Sequence, residues 1–262
     1  MSKFPLLLLA VYCLSCAVPL FGKNQPASDP QALAIAAQSI AAMTGTVVIS
    51  DVTLTGSVTW NGTDTGTATL QALGTAESRM DLVLPDGTRT EIRDAQTGIG
   101  IGRWINPNNS SGHFASQNCW TDSVWFFPVL SSLALAQNAV LSYVGPETRN
   151  GASVQHLRSY LYQPVLTPSS VPSVGPQQLS TMDFYLDATT FLPVAITYNV
   201  HPDNSWTTNL PIEVDFANYQ NFGRVTVPTH IQRYQQGVLM VDLTISGAAF
   251  NTGLQLPIFA VN

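Results

Sequence analysis

Charged side chains are scarce in this chain: Asp, Glu, Lys and Arg make up 10% of its 262 residues, against roughly 25% in typical soluble domains. Ten Lys and Arg stand against 16 Asp and Glu, which gives a formal net charge of −6. No run of basic residues occurs. Because nucleic-acid binding needs clustered Lys and Arg to neutralise phosphates, we expect no nucleic-acid partner. An anionic membrane surface would repel the chain as well.

Sequence motifs of the common catalytic and metal sites are missing. There is no G-x-S-x-G, no H-E-x-x-H and no phosphate-binding Walker loop. A zinc site needs three or four ligands, but the histidines are scattered, so we predict neither a metal nor a cofactor. They are His113, His156, His201 and His230.

One pair of acidic residues keeps a hydrolase hypothesis open. Asp183 and Asp187 have the spacing of residues on one strand face, and paired carboxylates are the catalytic groups of glycosidases. The favoured interpretation is a solvated strand face that ends in a turn-forming aspartate. We therefore predict a protein that is not an enzyme.

Cysteine is rare, and two of the three cysteines fall near the N-terminus. There, one lysine precedes an apolar stretch over residues 4–21, which predicts a secretory signal peptide over residues 1–22 rather than a membrane anchor. Cys16 is a candidate acylation site. Residues 23–262 are predicted to form a single secreted or periplasmic domain. Its one cysteine, Cys119, cannot form an intramolecular disulfide and is expected to be a small buried hydrophobe.

Two helices are predicted in this domain. Asp29 is a candidate N-cap before Pro30 at the first helical position, and Gly45 can end the helix. A second helix is predicted from about Pro128 to Gln137. The polar stretch over residues 105–123 and the Pro-rich stretch over residues 164–180 are predicted to be loops.

Strands make up most of the remaining chain. Apolar and polar residues alternate in short runs, and turn pairs such as Asn61-Gly62 and Asn150-Gly151 separate them. The run MDFYLDATTFLPVAITYNV, residues 182–200, is one such hairpin. In all we expect about 11 antiparallel strands. Two helices cover only part of so large an apolar face, so we predict a mainly β fold, a curved sheet that forms an incomplete barrel with the helices on its concave face.

The order of these elements resembles the periplasmic lipoprotein-carrier family, the LolA/LolB-like half-barrels. The likeness rests on the N-terminal helix followed by hairpins, on the central helix before VLSYVGPETRNGASVQHLRSYL, and on the run over residues 182–200. A further match is VDFANYQNFGRVTVPTHIQRYQQGVLMVDLTISGAAFNTGL, with its Asn, Gly and Pro spacing. The resemblance covers about residues 30–255 and implies an apolar cavity that holds acyl chains of lipoproteins or other lipids.

Eight apolar residues are candidates for the lining of that cavity, because alternation assigns each to the presumed inner face. They are Trp60, Met80, Leu82, Ile92, Trp125, Leu130, Phe184 and Ile196. The aromatic region around Trp125 can equally be core packing or the mouth of the cavity.

Two functions remain open beside the hydrolase hypothesis. The first is a monomeric protein that binds a lipid, or the acyl chain of a lipoprotein, in the cavity. The second is an envelope module with a sealed core that binds a protein partner.

Overall fold

The computed structural model describes residues 26–95, 100–131, 139–162 and 175–261. The predicted signal peptide over residues 1–22 and the candidate acylation site Cys16 lie outside these ranges. So do most of the predicted second helix beyond residue 131 and most of the Pro-rich stretch over residues 164–180.

Within these described ranges, thirteen strands form one sheet, where about 11 were predicted. The strands are β1 Asp51–Trp60, β2 Asp64–Leu73, β3 Glu77–Leu84, β4 Gly87–Asp94, β5 Ile101–Ile105, β6 Ser111–His113, β7 Ala139–Arg149, β8 Ala152–Leu161, β9 Met182–Asp187, β10 Pro193–Val200, β11 Leu210–Phe222, β12 Val225–Gln235 and β13 Val238–Phe250.

Every neighbouring pair in this sheet is antiparallel, in the order β6-β5-β4-β3-β2-β1-β13-β12-β11-β10-β9-β8-β7. Strands adjacent in sequence pair with each other, and β1 also pairs with β13. The sheet does not close into a barrel. The predicted mainly β fold with an open, curved antiparallel sheet is therefore confirmed.

Short helices accompany the sheet: α1 Pro30–Thr44, α2 Asn118–Thr121, α3 Pro128–Ser131, α4 Pro176–Leu179 and a 3₁₀ helix at Leu256–Phe259. The start of α1 agrees with the sequence, because the Asp29 carboxylate accepts a hydrogen bond from the backbone N–H of Gln31 at 2.8 Å. Gly45 follows the helix with a positive φ of 58°. Strand β6, α2 and α4 fall in stretches that were predicted to be loops, since neither periodicity nor propensity marks such short elements.

Several turns follow directly from the residue types. Asn61-Gly62, Asn150-Gly151 and Gln236-Gly237 all have positive φ at both positions, between 50° and 82°, as type I′ hairpin turns require. In the hairpin over residues 182–200, the Asp187 carboxylate accepts hydrogen bonds from the backbone N–H groups of Thr189 and Thr190 at 3.0 and 2.7 Å. These local bonds fix the register of the paired strands.

Two glycines of the TGIGIGRW stretch, Gly100 and Gly102, allow a close backbone approach. A Cβ on Gly100 would lie 2.3 Å from the carbonyl oxygen of Ser116, and one on Gly102 would lie 3.0 Å from Cys119 Sγ. The loop that leads into α2 therefore packs directly against β5.

Cys119 is fully buried at this contact, and burial raises the pKa of its thiol to about 11. This agrees with the predicted buried hydrophobe.

The core lies between the inner face of the sheet, α1 and the segment that connects α2 and α3. Trp125, Phe126 and Phe127 in that segment are each at most 1% exposed. They join Leu54, Leu70 and other strand residues in a single apolar cluster. The aromatic region is thus core packing, one of the two roles considered for it.

A β-bulge between Thr55 and Gly56 shifts the register between β1 and β13. A Cβ on Gly56 would lie 2.1 Å from the carbonyl oxygen of Thr244, so any side chain must push the two strands apart. We predict that Gly56→Ala lowers the free energy of unfolding by about 1–3 kcal/mol, the usual cost of overpacking. Urea unfolding followed by circular dichroism measures this. Gly175→Ala is the control, because its Cβ would meet no atom of the described residues within 4 Å. Equal stability of both variants would contradict the close approach.

Candidate functional site

Strand register identifies the residues that face the interior. Phe184, Ile196, Val214 and Arg233 stand opposite one another on the adjacent strands β9 to β12. In another part of the sheet, Met80 of β3 stands opposite Glu91 of β4. The interior wall is thus apolar along most of its length and charged at β4 and at one position of β12.

A small apolar cavity, the α1 cavity, lies between α1 and the inner face of β7 to β10. Ser39 and Met43 of α1 form one side, and Leu157, Phe184 and other apolar residues form the opposite side. Its volume is about 30 Å³, close to the share of one water molecule in the liquid. The helix and the aromatic residues before α3 fill most of the space that the open sheet leaves.

Among the predicted lining residues whose side chains the structure describes, Phe184 is the one found on this cavity. Met80, Leu82, Trp125 and Ile196 lie in the core and are at most 3% exposed. They pack against other side chains of the protein. Their role in binding a ligand stays a prediction.

The other predicted lining residues lie elsewhere. Ile92 pairs with Arg79, one position away from the Met80–Glu91 pair, so it lies on the opposite face of the sheet from Met80. Its expected place on the inner face was wrong, because alternation separates two faces without saying which is inside. Trp60 is half-buried at the charged end of the interior. The side chain of Leu130 lies outside the described part of the structure.

A second interior cavity, the arginine pocket, contains Arg89, Glu91, Arg93, Asp122 and Arg233. Its volume is about 290 Å³, near the lower end of the range for small-molecule sites. Asp122 connects two strands that are far apart in the sheet. Its oxygens accept hydrogen bonds from Arg93 Nη2 on β4 at 2.6 Å and from Arg233 Nη2 on β12 at 3.0 Å. This pocket was not predicted from the sequence.

Charges within the pocket control one another's protonation. Burial by itself would raise the pKa of Asp122, but Arg233 and Arg93 hold that pKa below its usual range. Burial opposes ionisation of Glu91 as well, and Arg93 and Arg89 lower its pKa. The Asp122 carboxylate also accepts a hydrogen bond from the Tyr198 hydroxyl. Both carboxylates are therefore ionised at neutral pH.

The two aspartates behind the hydrolase hypothesis have separate structural roles. Asp183 lies 2.7 Å from His156 Nε2 and accepts a hydrogen bond from Arg158 Nε at 2.9 Å. Burial opposes its ionisation, but these partners lower its pKa. Asp187 holds the hairpin turn, and its backbone hydrogen bond from Thr190 lowers its pKa. A glycosidase acid needs a raised pKa, so this pair does not have the properties of an acid and base pair.

Among the described residues, no group of three or more His, Cys, Asp or Glu side chains is placed to hold a metal ion. Within the same ranges, no helix combines the length and apolar character that crossing a membrane requires.

The sequence did contain a signal for the arginine pocket. In the TRTEIRD run, Arg89, Glu91 and Arg93 alternate on one strand face. The chain has only ten Lys and Arg in total, so three charges on one face of one strand are unusual here. The usual rule places such residues in solvent, and only the fold shows them inside.

Comparison with solved structures shows the same fold. An outer membrane lipoprotein-sorting protein domain from Vibrio parahaemolyticus is similar with a TM-score of 0.54 and 16% identity over 87% of this chain and 96% of that chain. A DUF1329 family protein from Desulfovibrio piger has a TM-score of 0.53 and 10% identity over 90% and 98% of the two chains.

A LolA superfamily protein from Nitrosomonas europaea has a TM-score of 0.50 and 12% identity over 88% of this chain and 97% of that chain. No family model and no curated protein sequence matches the chain. At these identities the likeness concerns the fold, and the predicted resemblance to LolA-like half-barrels is confirmed at that level.

A substitution of Asp122 tests how much the charged network at β4 and β12 contributes to stability. We predict that Asp122→Asn lowers the free energy of unfolding at pH 7 by about 3–5 kcal/mol, because it leaves buried arginines without a counter-charge. The folded-state pKa lies below the ordinary value of 3.8. The contribution of the ionised carboxylate is therefore complete above that value and is lost as pH falls through the folded-state pKa.

Urea unfolding of the wild type and of Asp122→Asn at pH 7 and pH 3 measures both effects. The difference between the two proteins should be smaller at pH 3. Asp203→Asn, at an exposed position, serves as the control and should change little at either pH. A constant difference at both pH values would contradict an ionised Asp122.

Proposed function

We propose that this protein binds a lipid or another ligand with an acyl chain, and that the chain enters between α1 and the sheet. It acts without catalysis, in the periplasm or outside the cell. The observation that carries the proposal is the α1 cavity, an apolar space between a helix and an open sheet. The fold shared with a domain named for outer membrane lipoprotein sorting supports it.

Helix α1 is suited to move away from the sheet. The sequence of the helix, PQALAIAAQSIAAMT, has no charged residue, so its contact with the sheet is almost entirely apolar. Its N-terminal end is attached by hydrogen bonds, including one from the backbone N–H of Asp29 to the carbonyl oxygen of Leu141 at 2.8 Å. An acyl chain can replace the apolar contact at about 0.8 kcal/mol for each buried CH₂ group.

The size of the α1 cavity sets a condition on this function. About 30 Å³ holds roughly one water molecule, which is far less than a lipid chain needs. Binding therefore requires that the helix and the sheet separate, and the chain would then contact Met43, Leu157 and Phe184. The predicted lining residues in the core would be reached only after a larger opening.

The second candidate function is an envelope module that binds a protein partner and keeps its core sealed. The filled interior favours it, since Trp125, Phe126 and Phe127 are buried and occupy the space in front of the sheet. Lipid extraction and native mass spectrometry of the full chain, purified from a cell envelope, separate the two functions. A co-purified lipid of defined mass supports the first, and a protein that carries no lipid but is captured with a protein partner supports the second.

Filling the α1 cavity gives the sharper test. Ser39 lines the cavity and is 7% exposed, so a larger side chain there overpacks the closed contact between α1 and the sheet at a cost of about 1–3 kcal/mol. Because binding requires this contact to open, we predict that Ser39→Leu raises the affinity for a fluorescent fatty-acid probe by about tenfold. Ala41→Leu adds apolar atoms on the exposed side of the same helix and should bind as the wild type does. Probe titration followed by displacement with unlabelled dodecanoate measures both, after urea unfolding has shown that both variants fold. A wild type that binds no probe would reject the proposed function.

A further inference from the structure

The arginine pocket carries more positive than negative charge. Three guanidinium groups, those of Arg89, Arg93 and Arg233, face the two carboxylates of Glu91 and Asp122. Arginine stays protonated at any ordinary pH, and both carboxylates are ionised. The pocket therefore holds one positive charge more than these carboxylates neutralise.

Each carboxylate oxygen in the pocket already has an arginine donor. Glu91 Oε1 accepts from Arg89 Nε and Nη2 at 3.1 and 2.6 Å, and its Oε2 accepts from Arg93 Nη2 at 2.9 Å. Asp122 accepts from Arg93 and Arg233 through its two oxygens. Further binding capacity lies with the guanidinium groups, since each of them has five N–H donors.

Two of those donors are buried without a partner. Arg93 Nε and Arg233 Nε have no hydrogen-bond acceptor among the described residues, and the side chain of Arg93 is only 4% exposed. A buried donor without an acceptor costs about 1–3 kcal/mol. Neither Nε atom has appreciable accessible surface, so an anion in the pocket would contact the outer Nη groups of these arginines, and the unpartnered Nε–H groups would add to the positive potential there.

Aromatic rings cover the faces of the same guanidinium groups. Arg93 Cζ lies 4.0 Å from the ring centroid of Phe114, and Arg89 Cζ lies 4.5 Å from that of Trp60. Stacking of this kind fixes the plane of the group and leaves its N–H edges free to donate. Edge-on pairs of N–H groups match the two oxygens of a carboxylate or a phosphate.

We propose that the arginine pocket is a binding site for an anionic oxyacid group, a carboxylate or a phosphate, held by the N–H edges of Arg93 and Arg233. Its volume of about 290 Å³ is enough for such a group. The group can be the head of an amphiphile or a small free anion. The site is separate from the α1 cavity and does not depend on the proposed function.

Isothermal titration of the full chain with inorganic phosphate, dodecanoate and dodecanol tests the site. We expect saturable binding of phosphate, of dodecanoate, or of both. Phosphate alone identifies a free-anion site. Dodecanoate without phosphate and without dodecanol identifies a site for the head of an amphiphile. The proposal is overturned if phosphate does not bind and dodecanol binds as tightly as dodecanoate, or if neither anion binds.

Variants assign the binding to the pocket. Arg233→Lys keeps a positive charge beside Asp122 but removes the planar edge, so it should weaken anion binding by about tenfold, as expected for one lost charge-assisted hydrogen bond. Arg224→Lys is the matched control at an exposed arginine and should bind as the wild type does. Equal affinity of the Arg233→Lys variant and the wild type would place the anion elsewhere and reject the proposal.

Two further variants are needed, one in case Arg233→Lys does not fold and one to separate the anion site from the α1 cavity. If Arg233→Lys fails to fold in urea unfolding measurements, Arg89→Gln takes its place, because the Arg89 side chain is less buried, at 15% exposure. This change removes the one positive charge by which the arginines exceed the carboxylates, so anion affinity should fall, and an unchanged affinity would reject the proposal. Ser39→Leu should bind the fatty-acid probe about tenfold more tightly yet keep its phosphate affinity. A failure of the proposed function is thereby distinguishable from a failure of the anion site.

Discussion

One buried carboxylate links the two sides of the sheet. Asp122 binds Arg93 on β4 and Arg233 on β12, and four strands lie between these two in the sheet. A flat sheet would hold the two arginines far apart, so the contacts require a strongly curved one. The link also requires that the segment after α2 run through the interior, where it places Trp125 in the core. Curvature, core packing and the charged end of the interior are thus connected through a single residue.

The interior is consequently divided into two environments. Under α1 it is apolar and nearly filled, with a cavity of about 30 Å³. At β4 and β12 it is charged and more open, with a pocket of about 290 Å³. Buried charge is costly unless it is paired, which explains why the arginines and carboxylates form one network. The two cavities are separate sites, and an amphiphile has the same division into an apolar chain and a polar head.

Local chemistry made the fold largely predictable. Asn61-Gly62 and Asn150-Gly151 have the positive φ values that their residue types favour, and Asp29 caps α1. Each of these features depends on atoms within a few residues, so the sequence contains the complete physical cause. Strand β6 and the helices α2 and α4 were not predicted. Elements of three or four residues are held by packing, and their own sequence pattern is too short to mark them.

The site was less predictable than the fold. Alternation sorts the residues of a strand into two faces, and it correctly separated Ile92 from Arg93 and its charged neighbours. Hydrophobicity then suggested that Ile92 faces the interior, but β4 is turned the other way, and its charged face meets Asp122. Sequence alone determined the strands, their turns and the two faces of each strand, because these depend on local bonding and on a period of two. The choice of inner face and the place of α1 were decided by tertiary structure, since both depend on contacts between residues far apart in the chain.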